Sequence, residues 1–379
     1  MFVVAFLLSI GLGRVGEVHA QFVVSTDPSP VQADQAFRLT VSGMFLPNAN
    51  GSAHPSVVVE GPAITVHLDR ACEFVCGPAG FDSVTVTVPP LAAGQYAMSV
   101  YQGSAGVPAP PDVEAPLVVL AANHTALWWV PTESGWGINL NHQGDIIFAT
   151  LFTYDATGAP MWLFMSNGAK QAGSETYAGL LYRATGPAFH ANPFMPISSA
   201  NLSEVGTMSV TFAGANSATL TYTVDGTPVT KQIQKQVYGS RAANCIPTTG
   251  SRKALANYQD LWWNPAESGW GINVTHQDDT LFATLFTYGD DGRNLWFFMS
   301  GGYKQPDGSF LGDLYLATGP AFDAQPFTPI TVANLWKVGT MRFMFFDGNN
   351  GAVSYVVYRT AVSKLITRQV FSSPTPSCS

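Results

Sequence analysis

From residue 127 onward, apolar and polar positions alternate with a period of two, in short runs broken by turn residues. In the first stretch this predicts strands at 127–130, 137–142, 146–154, 161–166, 177–183, 206–212, 218–224 and 229–238. The breaks between them read "QGD", "DATG", "GANS" and "DGTP", which is hairpin chemistry. The segment from "ATGPAF" to "NPFMPI" is a longer, Pro-rich loop. Eight strands joined mainly by hairpins predict an up-and-down meander, which escapes its exposed edges by closing into a barrel. An open sheet or a sandwich shared between copies is the alternative. In "LWFFM", from Leu295, alternation fails altogether. A barrel filled inside and packed outside on a neighbour would explain such a strand.

The neighbour is a second copy. Residues 127–238 align with 261–371 at an offset of 134, then 133 after a gap near Ser174. The first 45 aligned positions hold 29 identities. Further on only islands persist: "ATGPAF", "VGTM" and the "PF" at Pro193 and Pro326. Residues 21–120 differ. "AFRLTVSG", "SVVVEG", "AITVHL", "SVTVTVP" and "QYAMSVYQG" are strand-like runs at sandwich spacing. The expected fold is therefore all-β: an immunoglobulin-like sandwich over 21–120, then two homologous eight-stranded antiparallel meanders over 127–240 and 261–372. A linker at 241–260 separates the meanders, and 373–379 forms a tail.

Residues 2–13 are an apolar run too short to span a bilayer, followed by Val18-His19-Ala20, a small-residue cleavage signal. Residues 1–20 thus read as a secretory signal peptide, with a buried terminal strand or helix as the alternative. No second long apolar run follows, so no transmembrane segment is expected in the mature chain. The expected address is the periplasm, cell surface or exterior of a Gram-negative bacterium. Charged residues are only 11% of the chain, about half the usual share. The net charge is −8 without a basic run, which disfavours nucleic acid and anionic membranes as partners. Four cysteines in an exported chain suggest disulfides. Cys245 and Cys378 each follow equivalent valines, Val237 and Val370, by eight residues, and so are expected to pair. Cys72 and Cys76 would close a small loop. A metal reading of that C-x3-C lacks a second ligand pair, so neither metal nor cofactor is expected.

Candidate chemistry concentrates in "WWVPTESGWGINLNHQ" and "WWNPAESGWGINVTHQ". In an extended strand Trp136, Ile138, Leu140 and His142 share one face, opposite Asn139. His142 and His276 read either as core histidines or as imidazoles at a pocket mouth. Glu133 and Glu267 either fix a turn through backbone N–H bonds or stand near the histidine of the same hairpin. Glu and His nine residues apart meet only if the turn folds the Glu back over its strand. One tryptophan of each consecutive pair faces outward, so Trp129 and Trp263, with Trp136 and Trp270, either pack an interface or stack a ligand. Tyr154 and Tyr288 carry the same two readings. With Asn139 and Asn273 these complete the candidate ligand-binding set. No P-loop, dinucleotide, G-x-S-x-G or H-E-x-x-H signature occurs.

The motif W-W-x-P-x-E-S-G-W-G-I-N-x-x-H-Q resembles a repeat of exported Gram-negative bacterial proteins that often follows other domains. The resemblance covers both copies and implies export. It carries no catalytic residue across. "LAAGQYAMSV" loosely resembles the closing strand of bacterial immunoglobulin-like modules, and the meanders are analogous in strand number to avidin- and lipocalin-type barrels. The expected function is non-catalytic binding or adhesion, with a glycan, a small apolar ligand or another surface protein held by the duplicated hairpins. The alternatives are a hydrolase or isomerase using a Glu/His pair in each copy, and a structural surface or secretion-associated component.

Overall fold

The computed structural model describes residues 22–27, 29, 31–33, 36–45, 55–68, 80–102 and 110–379. The signal-peptide reading and the Cys72–Cys76 pairing lie outside them. The chain divides into two compact units, residues 1–122 and 123–379.

The first unit contains β1 (Val23–Asp27), β2 (Val31–Gln32), β3 (Phe37–Phe45), β4 (Ser56–Glu60), β5 (Ala63–His67), β6 (Gly80–Val88), β7 (Gly94–Tyr101) and β8 (Val113–Leu120). One sheet has the order β1-β3-β6 and the other β2-β8-β7-β5-β4. Leu39, Val41 and Val86 from the first meet Ile64, Val66 and Val100 from the second in one buried core. Two sheets sharing one core make a sandwich. The pairings β2–β8 and β5–β7 are parallel.

The second unit opens with β9 (Ala126–Trp129), β10 (Gly137–Gln143), β11 (Ile146–Tyr154), β12 (Pro160–Lys170), β13 (Thr176–Ala184), β14 (Leu202–Phe212), β15 (Ser217–Val224) and β16 (Thr227–Lys235). These close into an antiparallel barrel, with β16 pairing back onto β9. After β17 (Cys245–Thr248) the pattern recurs as β18 (Asp260–Trp263), β19 (Gly271–Gln277), β20 (Thr280–Tyr288), β21 (Asn294–Lys304), β22 (Phe310–Ala317), β23 (Leu335–Phe345), β24 (Asn350–Val357) and β25 (Thr360–Arg368). This is a second closed barrel. β26 (Thr375–Cys378) then pairs with β17, in register from Cys245↔Cys378 to Thr248↔Thr375. Cys245 and Cys378 are disulfide-bonded. The segments read from sequence as linker and tail thus form a two-stranded ribbon. Such a bond suits an oxidising, non-cytoplasmic compartment.

Each barrel is solid. In the first, Ile138, Leu140, Ala149, Leu151, Leu163 and Met165 point inward and are buried. Thr150, Phe152 and Tyr154 of β11 and Trp162 of β12 point outward and are buried too, because they meet the other barrel. Phe152, Tyr154 and Trp162 interlock with Phe286, Tyr288 and Trp296 at ring separations of 5.2–6.4 Å. Two cross-barrel bonds repeat about this cluster: the Trp162 indole N–H donates to the Thr287 carbonyl (3.0 Å), and Trp296 to Thr153 (2.9 Å). That interface is why "LWFFM" has no polar face. Among the described residues no helix is long and apolar enough to cross a membrane.

Candidate functional site

The repeated hairpin builds three layers in each barrel. At one mouth, a tight turn precedes β10. The Glu133 amide donates to the Val130 carbonyl at 2.9 Å, which closes the turn. Its carboxylate accepts from the Trp136 indole (3.1 Å) and from Lys231 Nζ on β16 (2.8 and 2.9 Å). Glu267 repeats this with Trp270 (3.1 Å) and Lys364 (2.5 Å). Each lysine also lies over aromatic rings: Lys231 is 5.8 Å from Trp136 and 5.9 Å from Phe327, and Lys364 is 5.3 Å from Trp270 and 5.2 Å from Phe194.

Phe194 and Phe327 come from the opposite barrels. Each sits in the Pro-rich loop between the fifth and sixth strands, so each barrel's mouth is closed by a finger of its neighbour. The Ile330 amide donates to the Ser134 carbonyl at 2.9 Å, and the Ile197 amide to Ser268 at 3.0 Å. The first glycine of "ESGWG" makes this possible. Gly135 has φ +123°, and a Cβ there would come within 2.7 Å of Ile330; Gly269, at φ +122°, faces Ile197 in the same way. Trp136 and Trp270 are consequently only 4% and 5% exposed.

The middle layer faces the barrel–barrel interface. Asn141 donates to Asn273 at 2.6 Å, and Asn273 in turn reaches Thr150 at 3.4 Å. On the symmetry-related side, Asn139 Nδ2 and Thr284 Oγ1 are buried without a partner. Tyr154 and Tyr288 bury their rings in the aromatic cluster and donate to the carbonyls of Gly135 (2.6 Å) and Gly269 (2.5 Å). Burial pushes both phenols well above their ordinary range.

The histidines close the far end. His142 Nδ1 accepts from the His124 amide at 3.3 Å, and Nε2 meets the Gly144 carbonyl at 2.8 Å and the Tyr177 hydroxyl at 3.1 Å. A neutral ring protonated at Nε2 fits that set. His276 Nδ1 accepts from the Tyr258 amide at 3.0 Å. Burial drives both pKa values down, to about 3 for His142 and about 4 for His276. Glu133 and His142 stand at opposite ends of β10, separated by roughly 20 Å of extended chain. The turn does not fold back, and neither copy brings its Glu and His together.

Trp129 and Trp263 face outward and are half-buried, beside Gln234 and Thr367 on the neighbouring strands. The surface depressions lined by Leu311, Arg342 and Val356, and by Gly158, Gly319 and Asn334, include none of the twelve candidate residues. Among the described residues no group of three His, Cys, Asp or Glu side chains stands ready for a metal. Sequence reasoning missed Lys231, Lys364, Phe194 and Phe327. A signal existed: both lysines and both Pro-Phe pairs occupy equivalent positions in the two copies. Compared with protein-family models, curated proteins and solved structures, the chain matches none.

Proposed function

We propose that the chain is an exported, non-catalytic binding or adhesion protein that holds a glycan or apolar ligand on the outer face of its second barrel. The tryptophan hairpins are committed to closing and joining the barrels, which moves the candidate surface outward. The observation that carries this reading is the divergence of the two exteriors. On β23–β25, Thr340, Val356 and Ala361 lie in one row, Arg342, Ser354 and Ser363 in the next, and Met344, Ala352 and Leu365 in a third. Leu311 continues the middle row. Leu365 is 66% exposed, Leu311 37% and Val356 36%. The first barrel carries Gln232, Ala178 and Thr223 at those positions. Exposed aromatics on the second barrel, Tyr303, Trp336 and Tyr358, replace Ala169, Ser203 and Asp225. Apolar side chains exposed along these rows, where the twin carries polar or small ones, support an interaction surface, and aromatic rings suit the C–H face of a pyranose.

A glycan array probed with the mature chain tests the reading. Leu365→Gln with Val356→Thr, which installs the first barrel's residues, is expected to abolish retention and leave the melting temperature unchanged. Retention equal to wild type, or loss only on Trp129→Ala and Trp263→Ala, would place the ligand elsewhere.

A further inference from the structure

On the outer face of the second barrel, a depression of about 350 Å³ opens between Leu311 on β22, Arg342 on β23, Ser354 and Val356 on β24, and Ala361 and Ser363 on β25. Small side chains make the hollow and longer ones wall it. Arg342, Ser354 and Ser363 are direct cross-strand neighbours, so successive β-carbons lie about 4.5–5.5 Å apart. Arg342 is clamped from one side. Its Nε donates to the Ser309 hydroxyl at 3.0 Å and its Nη2 to the Asp307 carboxylate. Ser309 is fully buried and donates to Asp307 through its hydroxyl (2.6 Å) and its amide (3.1 Å). Among the described residues, Arg342 Nη1 and the hydroxyls of Ser354 and Ser363 have no hydrogen-bond partner. The first barrel uses these positions differently. Its equivalents are Ser209, Thr221 and Thr230, and the two threonine hydroxyls bond each other at 3.4 Å.

We infer that the depression binds an uncharged pyranose, an inference that rests on the reading of this face as the ligand surface. Arg342 Nη1 donates to a sugar oxygen, Ser354 and Ser363 bond its hydroxyls, and its C–H face lies on Leu311 and Val356. Charge decides the class. Asp307 cancels the guanidinium's charge, and the nearby Lys337 is closed on Asp313 at 2.8 Å. An acidic sugar brought to Arg342 would meet the Asp307 carboxylate, and like charges repel. A wholly apolar ligand would strip water from the guanidinium and the two hydroxyls without replacing those hydrogen bonds. A neutral ring rich in hydroxyls avoids both costs. The clamp also means that the arginine loses little freedom on binding, which favours a specific contact.

The test is an array of neutral and carboxylated oligosaccharides, probed with the mature chain at about 50 mM and about 500 mM sodium chloride. Neutral oligosaccharides are expected to be retained equally at both. Arg342→Ser, and Ser354→Thr with Ser363→Thr, install the first barrel's residues. Each is expected to weaken retention about tenfold or more at an unchanged melting temperature. The inference alone is overturned if wild type retains only carboxylated oligosaccharides. It is also overturned alone if both variants retain neutral ones as wild type does, while Leu365→Gln with Val356→Thr still releases them. The reading of this face falls with it if that apolar double variant retains them too, or if nothing on the array is retained. Should Arg342→Ser melt early, the serine-to-threonine variant, which keeps the clamp, decides.

Discussion

Each of His124, His142 and His276 is a neutral ring sealed in a barrel, with pKa values of about 4, 3 and 4 set chiefly by burial. In the unfolded chain such a ring takes a proton below about 6.5. The unfolded state therefore binds more protons between that value and the folded pKa. Stability is full above pH 6.5 and lost as pH falls towards 4, by up to roughly 1.4 kcal/mol per pH unit for each ring. Urea midpoints at pH 7 and pH 5 measure it, and His124→Tyr, the second barrel's residue, is expected to flatten the slope. A midpoint that stays constant between those pH values would contradict neutral burial. The Glu133 carboxylate makes a different prediction. Glu133→Ala strands Lys231 and the Trp136 indole N–H together, at a cost of about 1–3 kcal/mol. Glu133→Ala with Lys231→Met should recover part of that loss. A single-variant cost near zero would mean that solvent replaces the carboxylate.

The strands were legible because their chemistry is local. Period-two alternation, Asp-Gly turns and the loss of polarity in "LWFFM" each report on neighbours a few residues away, and the barrel follows from them. The inward face of Trp136, Ile138, Leu140 and His142 was readable for the same reason. What caps the mouths was not. Lys231 lies 98 residues from Glu133, and Phe327 reaches Trp136 from the other copy. Nothing in a single strand's pattern encodes which loop crosses to which barrel. The loops themselves are testable as elements. Phe194→Ala and Phe327→Ala each remove a buried ring, with an expected cost of about 3–5 kcal/mol. Each should also open the mouth above Trp270 or Trp136. A red shift of tryptophan emission below the melting transition reads that opening. Destabilisation without a shift would mean that the mouth closes around the gap.

At the scale of the molecule, the fingers and the aromatic cluster make the two barrels one object. Both barrels belong to a single continuous core, and the sandwich has a core of its own. The ribbon of β17 and β26 adds a covalent clasp, whose disulfide spans 133 residues of sequence. In the chain-entropy account, closing a loop of that size contributes about 4–5 kcal/mol. Calorimetry of the intact chain should therefore show two transitions, one for the sandwich and one for the paired barrels, rather than three. Reduction should lower the barrel transition without dividing it, because the six interface rings still bind the halves together. Trp162→Ala with Trp296→Ala should divide it, since each loses its ring contacts and its cross-barrel hydrogen bond. A third transition already present in the oxidised wild type would mean that each barrel is stable alone and that the interface only holds them in place.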